Sequence, residues 1–212
     1  MAKMKSTLTN MVVVLVGMAL VIGALLALVN HITEKPIAEK AGKTLAEGIK
    51  TVMGTKDPTV TSNDTVRQNI DNKEAVFVVH RAADKGGKSL GAAVESTTLG
   101  FGGDLKVLVG FSPDGTILGY TILQHAETPG LGAKAQAWFQ KDGKASIIGM
   151  SPAKGHLAVS KDGGQVDAIT ASTITSRAFL KAINQAYAAY TRHDVEGVSG
   201  ASHQIKKGAH HE

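Results

Sequence analysis

The sequence predicts an α+β fold: a long apolar helix at the N-terminus, then a domain with an antiparallel sheet and flanking helices. Three observations carry this. Met11–Val29 is a single run that is apolar apart from its glycines. Strand-like segments further on are joined by turn signals, as in hairpins, and do not alternate with helices. A strong amphipathic helical pattern closes the folded part. The chain has 212 residues, enough for one ordinary domain and an appendage.

From Ser6 to Asn30 there is no Asp, Glu, Lys or Arg, and Met11–Val29 is apolar apart from glycines. At about 1.5 Å per residue this run spans about 29 Å, close to the ~30 Å of a hydrocarbon core. A helix there satisfies its own backbone. A cleaved signal peptide would normally have a shorter apolar region and a small-residue cleavage site, so a retained anchor is the better reading. Lys3 and Lys5 precede the run while Lys35, Lys40 and Lys43 follow it, so charge counting leaves the orientation open.

Ile37, Ala41, Leu45, Ile49 and Val52 then recur at helical spacing up to Gly54, with Pro36 in a first turn. That amphipathic stripe either packs on the following domain or lies on a lipid surface. Thr55–Lys73 is polar and reads as a loop. Ala75–His80 and Leu90–Glu95 read as strands around the turn Lys85–Lys88. Leu105–Phe111 and Thr116–Gln124 pair across Pro113-Asp114-Gly115, where proline pre-sets one dihedral and glycine accepts a positive one. Ala133–Phe139 reads as a short helix, and Gly155–Ser160 with Gly163-Gly164 as strand and turn. Ser176–Arg192 carries Phe179, Leu180, Ile183, Ala186, Tyr187 and Tyr190 on one stripe. The end of the chain is rich in Gly, Ser and His.

Composition excludes several classes. Cysteine is absent, so disulfides, Cys-ligated metals and thioether haem are out of reach of this chain alone. Net charge is only +5 and aromatics are 4%, without the interleaving of bases and rings that single-strand binding uses, so no nucleic-acid partner is expected. His203, His210 and His211 in the tail make no metal motif, and no metal is expected.

Three segments can carry chemistry. In Asp167–Arg177 five hydroxyl residues (Thr170, Ser172, Thr173, Thr175, Ser176) stand just before the final helix. One helix cap needs one hydroxyl, and the surplus at the positive end of a helix suits a phosphate. Leu99–Asp104 (LGFGGD) is a glycine loop, a tight turn or a place of close backbone approach. His125–Gly132 (HAETPGLG) is a rigid polar loop whose Glu127 or His125 either acts as a base or merely holds the loop.

Together with the N-terminal span and the stretch Thr33–Ile37, these motifs resemble the FMN-binding subunits of membrane electron-transport complexes. That family includes the G subunit of the Rnf-type ion-translocating complex and the C subunit of the sodium-pumping NADH:quinone reductase. At 22.0 kDa the chain is nearer in size to the first. The family attaches FMN by a phosphoester within Ser/Thr-Gly-Ala-Thr-x-Thr-Ser, and Thr170–Ser176 matches it with Ala171 in place of Gly and Ser172 in place of Ala. The resemblance implies covalent FMN on Thr173. The pocket would be formed by Thr170, Ser172, Thr175, Ser176, Gly102, Gly103, Glu127, Thr128, Gly130, Leu131 and Gly132, the glycines letting backbone approach the ring. Glu127 and His125 would shape this pocket, with no catalytic base.

The resemblance further implies an FMN transferase with FAD as donor, and other membrane subunits as partners. The chain would be an electron relay in a complex coupling reduced ferredoxin and NAD to ion movement. It would sit in a bacterial inner membrane as a single-pass protein. Residues 1–10 would be cytoplasmic, 11–30 transmembrane and 31–54 a connecting helix. Residues 55–194 would form an extracytoplasmic (periplasmic) FMN-binding domain, and 195–212 a flexible tail. A self-standing tethered flavin reductase and a tethered binding module without redox role are the alternatives.

Overall fold

A computed structural model describes residues 8–55, 58–70 and 73–191. The N-terminal seven residues and the tail, with its histidines, lie outside the described residues. The chain divides into two compact units, Met1–Leu45 and Ala46–Glu212.

The first unit is the greater part of one helix, α1 (Leu8–Met53), long and apolar enough to cross a membrane by length and composition. The connecting helix expected to begin near Pro36 is not separate. Pro36 lies inside α1, where it removes a single backbone donor without ending the helix. Thr33 Oγ1 donates to the Val29 carbonyl at 2.8 Å one turn below. Ile37 and Ala41 are exposed, so the apolar stripe is buried only in its last two turns, at Ile49, Val52 and Met53.

The second unit starts with those turns. Its sheet is a five-stranded meander in the order β1-β2-β3-β4-β5, every pair antiparallel. The strands are β1 (Thr59–Ile70), β2 (Lys73–Ala83), β3 (Ser89–Leu99), β4 (Asp104–Phe111) and β5 (Ile117–His125). The expectation of a loop over 55–73 is corrected by β1. Its polar residues alternate between exposed and half-buried because it is an edge strand, and pairing with β2 along its length supplies the order that a hydrophobic face does not.

The other turns follow the chemistry of their residues. Gly115 N–H donates to Ser112 O with Gly115 at φ 80°, and Asp84 Oδ1 accepts from the N–H groups of Gly86 and Lys88. The end of α1 lies on β4 and β5 because glycine makes room. A Cβ on Gly110 would stand 2.4 Å from the Val52 carbonyl oxygen.

On the other face, Phe77, Val79, Ala92, Val94, Leu105, Val107 and Val109 form the core with α3 (Thr173–Thr191). The helix begins at Thr173, three residues before the expected start, and Arg192 lies outside the described residues. Phe179 is its anchor, stacked on Phe139 at 4.5 Å and edge-on to Tyr120 at 4.7 Å. Phe139 follows a short helical stretch, a 3-10 turn (Gly132–Lys134) running into α2 (Ala135–Trp138). The strand expected at Gly155–Ser160 is absent. Instead Asn184 of α3 binds the main chain of Leu157 on both sides, with its Oδ1 accepting from the N–H at 3.0 Å and its Nδ2 donating to the carbonyl at 2.9 Å. Only an isolated bridge, Val159–Val166, remains of sheet pairing there.

The sheet also holds a buried charge. Glu95 Oε1 lies 2.7 Å from His80 Nε2, and Oε2 lies 2.6 Å from Lys106 Nζ. Burial pushes the Glu95 carboxyl up, but the hydrogen bonds from His80 and Lys106 outweigh it and hold the group below the ordinary carboxylate range. A depressed folded value means that Glu95 stabilises the fold above the ordinary glutamate range. That contribution is lost progressively as pH falls from that range through the lowered folded value. Glu95→Gln is therefore expected to flatten the acid side of a urea-midpoint profile between about pH 7 and pH 3. An acid limb as steep as in the wild type would show that Glu95 is not responsible.

Candidate functional site

One cavity of about 390 Å³ opens where three loops meet the start of α3. Its walls are Phe101, Glu127, Thr128, Leu131, Gly132, Ala171, Ser172, Thr173, Ile174 and Thr175. The three motifs, about 75 residues apart at the extremes of sequence, thus form one site. Of the residues expected there, Ser172, Thr173, Thr175, Glu127, Thr128, Leu131 and Gly132 line the cavity. Thr170, Ser176, Gly102, Gly103 and Gly130 are not among its walls.

Glu127 joins the three loops. It is 6% exposed, and its two oxygens serve all three segments. Oε1 accepts from the Phe101 N–H at 2.7 Å and the Gly102 N–H at 3.4 Å, and Oε2 accepts from the Thr175 hydroxyl at 2.7 Å. The glycines around it are needed for this approach. A Cβ on Gly100 would lie 2.0 Å from Glu127 Oε1, one on Gly132 2.5 Å from Oε2, and one on Gly102 2.1 Å from the Ala126 carbonyl. Gly102 and Gly132 are thus spent on packing protein against protein. Gly130, at φ 75°, serves a turn in which the Leu131 N–H donates to Thr128 O. His125 is exposed, and its Nδ1 accepts from the Glu127 N–H at 3.2 Å, which holds the loop.

The hydroxyl cluster divides by partner. Ser176, fully buried, donates from Oγ to Ser172 O at 3.0 Å and accepts from the Ile169 N–H at 2.9 Å. Thr175 is committed to Glu127. Thr170 is exposed. Ser172 precedes the helix, and its carbonyl accepts the first helical bond, from Ser176 N–H. Thr173 is the first residue of α3, half-buried in the cavity wall, and its hydroxyl has no partner among the described residues.

Phe101, Ala171 and Ile174 also line the cavity, and none of them was expected there as a site residue. Phe101 and Ile174 are 68% and 53% exposed, apolar side chains at a cavity mouth. The sequence signal for them was slight, since each is the unremarked residue inside a motif read for its glycines or hydroxyls. Ala171 is different. Among the described residues it is the one non-glycine with positive φ, 62°, in a turn closed by Ser172 N–H to Ile169 O at 2.9 Å. The family's glycine at this position was the available signal. The left-handed conformation costs an alanine roughly 1–2 kcal/mol, while glycine loses about 0.5–1 kcal/mol more entropy on folding. Ala171→Gly is expected to raise stability by about 0.5–1 kcal/mol, read as an increase in Tm. An unchanged or lower Tm would contradict the strain.

Residues 100–188, which hold the whole cavity, match the FMN-binding domain family. The chain is 33% identical over 186 residues to the G subunit of the ion-translocating oxidoreductase complex of Cereibacter sphaeroides, covering 84% of this chain and 82% of that one. The chain belongs to the G-subunit family of ion-translocating oxidoreductase complexes. A second G subunit, from Methanosarcina acetivorans, is 30% identical over 84% of this chain and 92% of its own. Among solved structures, the C subunit of the Na(+)-translocating NADH-quinone reductase from Parabacteroides distasonis aligns with a TM-score of 0.48. That alignment has 19% identity and covers 73% of this chain and 92% of that one.

The residues of this member of the G-subunit family fit an FMN on their own chemistry. The cavity is within the size range of small-molecule sites, with apolar walls at Phe101, Leu131 and Ile174 suited to a flat ring. An uncommitted hydroxyl stands at the N-terminus of a 19-residue helix, where a phosphate is electrostatically favoured.

Proposed function

We propose that this chain is the membrane-anchored electron-relay subunit of an Rnf-type ion-translocating oxidoreductase complex, carrying FMN by a phosphoester to Thr173. The observation that carries the reading is the sorting of hydroxyls. Thr175 and Ser176 are bound within the protein, Ser172 and Thr173 both stand in the cavity wall with hydroxyls that have no protein partner among the described residues, and of these two Thr173 is the one in the first turn of α3.

Attachment needs an activated phosphate, so the donor is FAD and the catalyst a separate FMN transferase. Thr173 Oγ forms the new O–P bond and the pyrophosphate P–O bond to AMP breaks. AMP leaves, and the hydroxyl proton passes to a base of the transferase. Bound FMN supplies one- and two-electron transfer, and the protein's part is to hold and tune it. Thr173 fixes the phosphate end against the helix N-terminus. Phe101, Leu131 and Ile174 would offer the ring apolar walls, while Glu127 keeps the loops of the cavity in register through its three hydrogen bonds. The committed partners of Glu127 support a shaping role over that of a base.

In this reading residues 11–30 cross a bacterial inner membrane once, residues 1–10 are cytoplasmic, residues 31–54 connect, and the domain at 55–194 is periplasmic. The length and composition of α1 support the span, and the orientation rests on the family resemblance. The remaining membrane subunits supply the ferredoxin and nicotinamide chemistry. The deciding experiment is intact and peptide mass after expression beside an active FMN transferase. The expected result is an increment of one FMN less one water, localised to Thr173. An unmodified chain would overturn the reading. A reporter fused to the C-terminus tests the orientation and is expected to be active only outside the cytoplasm.

A further inference from the structure

The carboxylate of Glu127 lines the cavity at 6% exposure, and all three of its hydrogen-bond donors are neutral: two backbone N–H groups and the Thr175 hydroxyl. Among the described residues no ion pair reaches Glu127, whereas the buried Glu95 has His80 and Lys106. Neutral donors orient a carboxylate and hold it in place, but they leave its net charge uncancelled. A charge buried away from water acts on its neighbours far more strongly than one in solvent. The glycines at 100 and 132 keep the group fixed, because any side chain there would displace one of its oxygens.

Resting on the reading of a flavin held on Thr173, we infer that Glu127 is the residue through which this protein sets the flavin's reduction potential, its fixed negative charge making the ring harder to reduce. Reduction by two electrons and one proton leaves the ring with one more negative charge. The buried carboxylate opposes that gain. A merely structural Glu127 would support the cavity equally well as the neutral amide. Glutamine has the same shape, keeps an oxygen for the Phe101 and Gly102 N–H groups, and presents an N–H₂ to the Thr175 oxygen.

The test is a potential titration of the full, flavinylated chain with dithionite against a reference dye. Dithionite is oxidised to sulfite, supplying two electrons per flavin, and water supplies the proton. At the potential where the wild-type flavin is half reduced, E127Q and E127M are expected to favour the reduced form by about threefold or more. T175V, which removes a hydrogen bond but keeps the charge, is expected to stay within about twofold of wild type.

Three outcomes overturn the inference. The first is a pair of neutral variants that match the wild-type potential. The second is a T175V chain that moves upward as far as E127Q, which would make cavity shape the cause. The third is a pair of neutral variants that take no flavin while wild type does, which would make the carboxylate an element of maturation. Peptide mass separates these from failure of the underlying reading: a wild-type chain without flavin withdraws that reading and this inference together, whereas a flavinylated wild type leaves it standing whatever Glu127 does.

Discussion

Thr173→Val, expressed beside an active FMN transferase, is expected to give a folded chain with no covalent flavin. The loss should be complete, because a methyl group in place of the hydroxyl leaves no oxygen to form the phosphoester. Little stability should go with it. Thr173 is already helical, the turn before it is closed by Ser172 and Ile169, and its hydroxyl has no protein partner among the described residues to lose. Valine keeps the branched shape, so the change in stability should be within about 1 kcal/mol. In-gel flavin fluorescence after denaturation reads the linkage, and thermal melting reads the fold. Fluorescence persisting on the Thr173→Val chain would remove Thr173 as the acceptor and make Ser172, in the same wall, the next residue to test. Ser172→Ala should keep its flavin.

The largest loss of stability should come from Phe179→Ala, at about 3–5 kcal/mol. Phe179 is fully buried, stacked on Phe139 and edge-on to Tyr120. Tyr120 is held in place by its hydroxyl, which donates to Ala135 O at 2.6 Å and accepts from the Phe139 N–H at 3.2 Å. The vacancy would stay open, and the first turn of α3, with Thr175 and Ser176, would lose the packing that fixes it. Urea unfolding measures the loss. A cost below about 1 kcal/mol would mean that the core collapses freely around the position, against its dense packing.

The two substitutions test different links of one chain of cause. Phe179 holds α3 against the sheet, α3 places Thr175 and Thr173, and Thr175 meets Glu127 across 48 residues of sequence. A variant at the core is therefore expected to weaken the site through position, while Thr173→Val removes chemistry and leaves position intact.

What could be read from residues alone follows from local physics. The apolar run before Asn30, the hairpin turn at Pro113-Asp114-Gly115 and the stripe from Phe179 to Tyr190 each carry their structure in neighbouring residues, and their strands and helices are present. β1 was not legible, because an edge strand needs no hydrophobic face and its order comes from pairing with β2. Nor was the segment around Leu157, whose main chain is bound by Asn184 from the distant last helix. The break expected before the connecting helix failed for a related reason: a helix loses one hydrogen bond at Pro36 and continues if the turns on both sides are sound.

The same division holds at the site. The sequence by itself determined which residue types are available: a hydroxyl cluster before a helix, two glycine loops and a carboxylate in the second of them, together with the long apolar helix that precedes them. Only the tertiary structure decided which of them act as partners. It joined Glu127 to the amides of one loop and the hydroxyl of α3, and it spent Gly102, Gly132 and Ser176 on internal packing. It left the Thr173 hydroxyl without a partner among the described residues and put Ala171 into a left-handed turn. Hydrogen bonds and close approaches between residues tens of positions apart are set by how the sheet and last helix pack, and local pattern does not encode them.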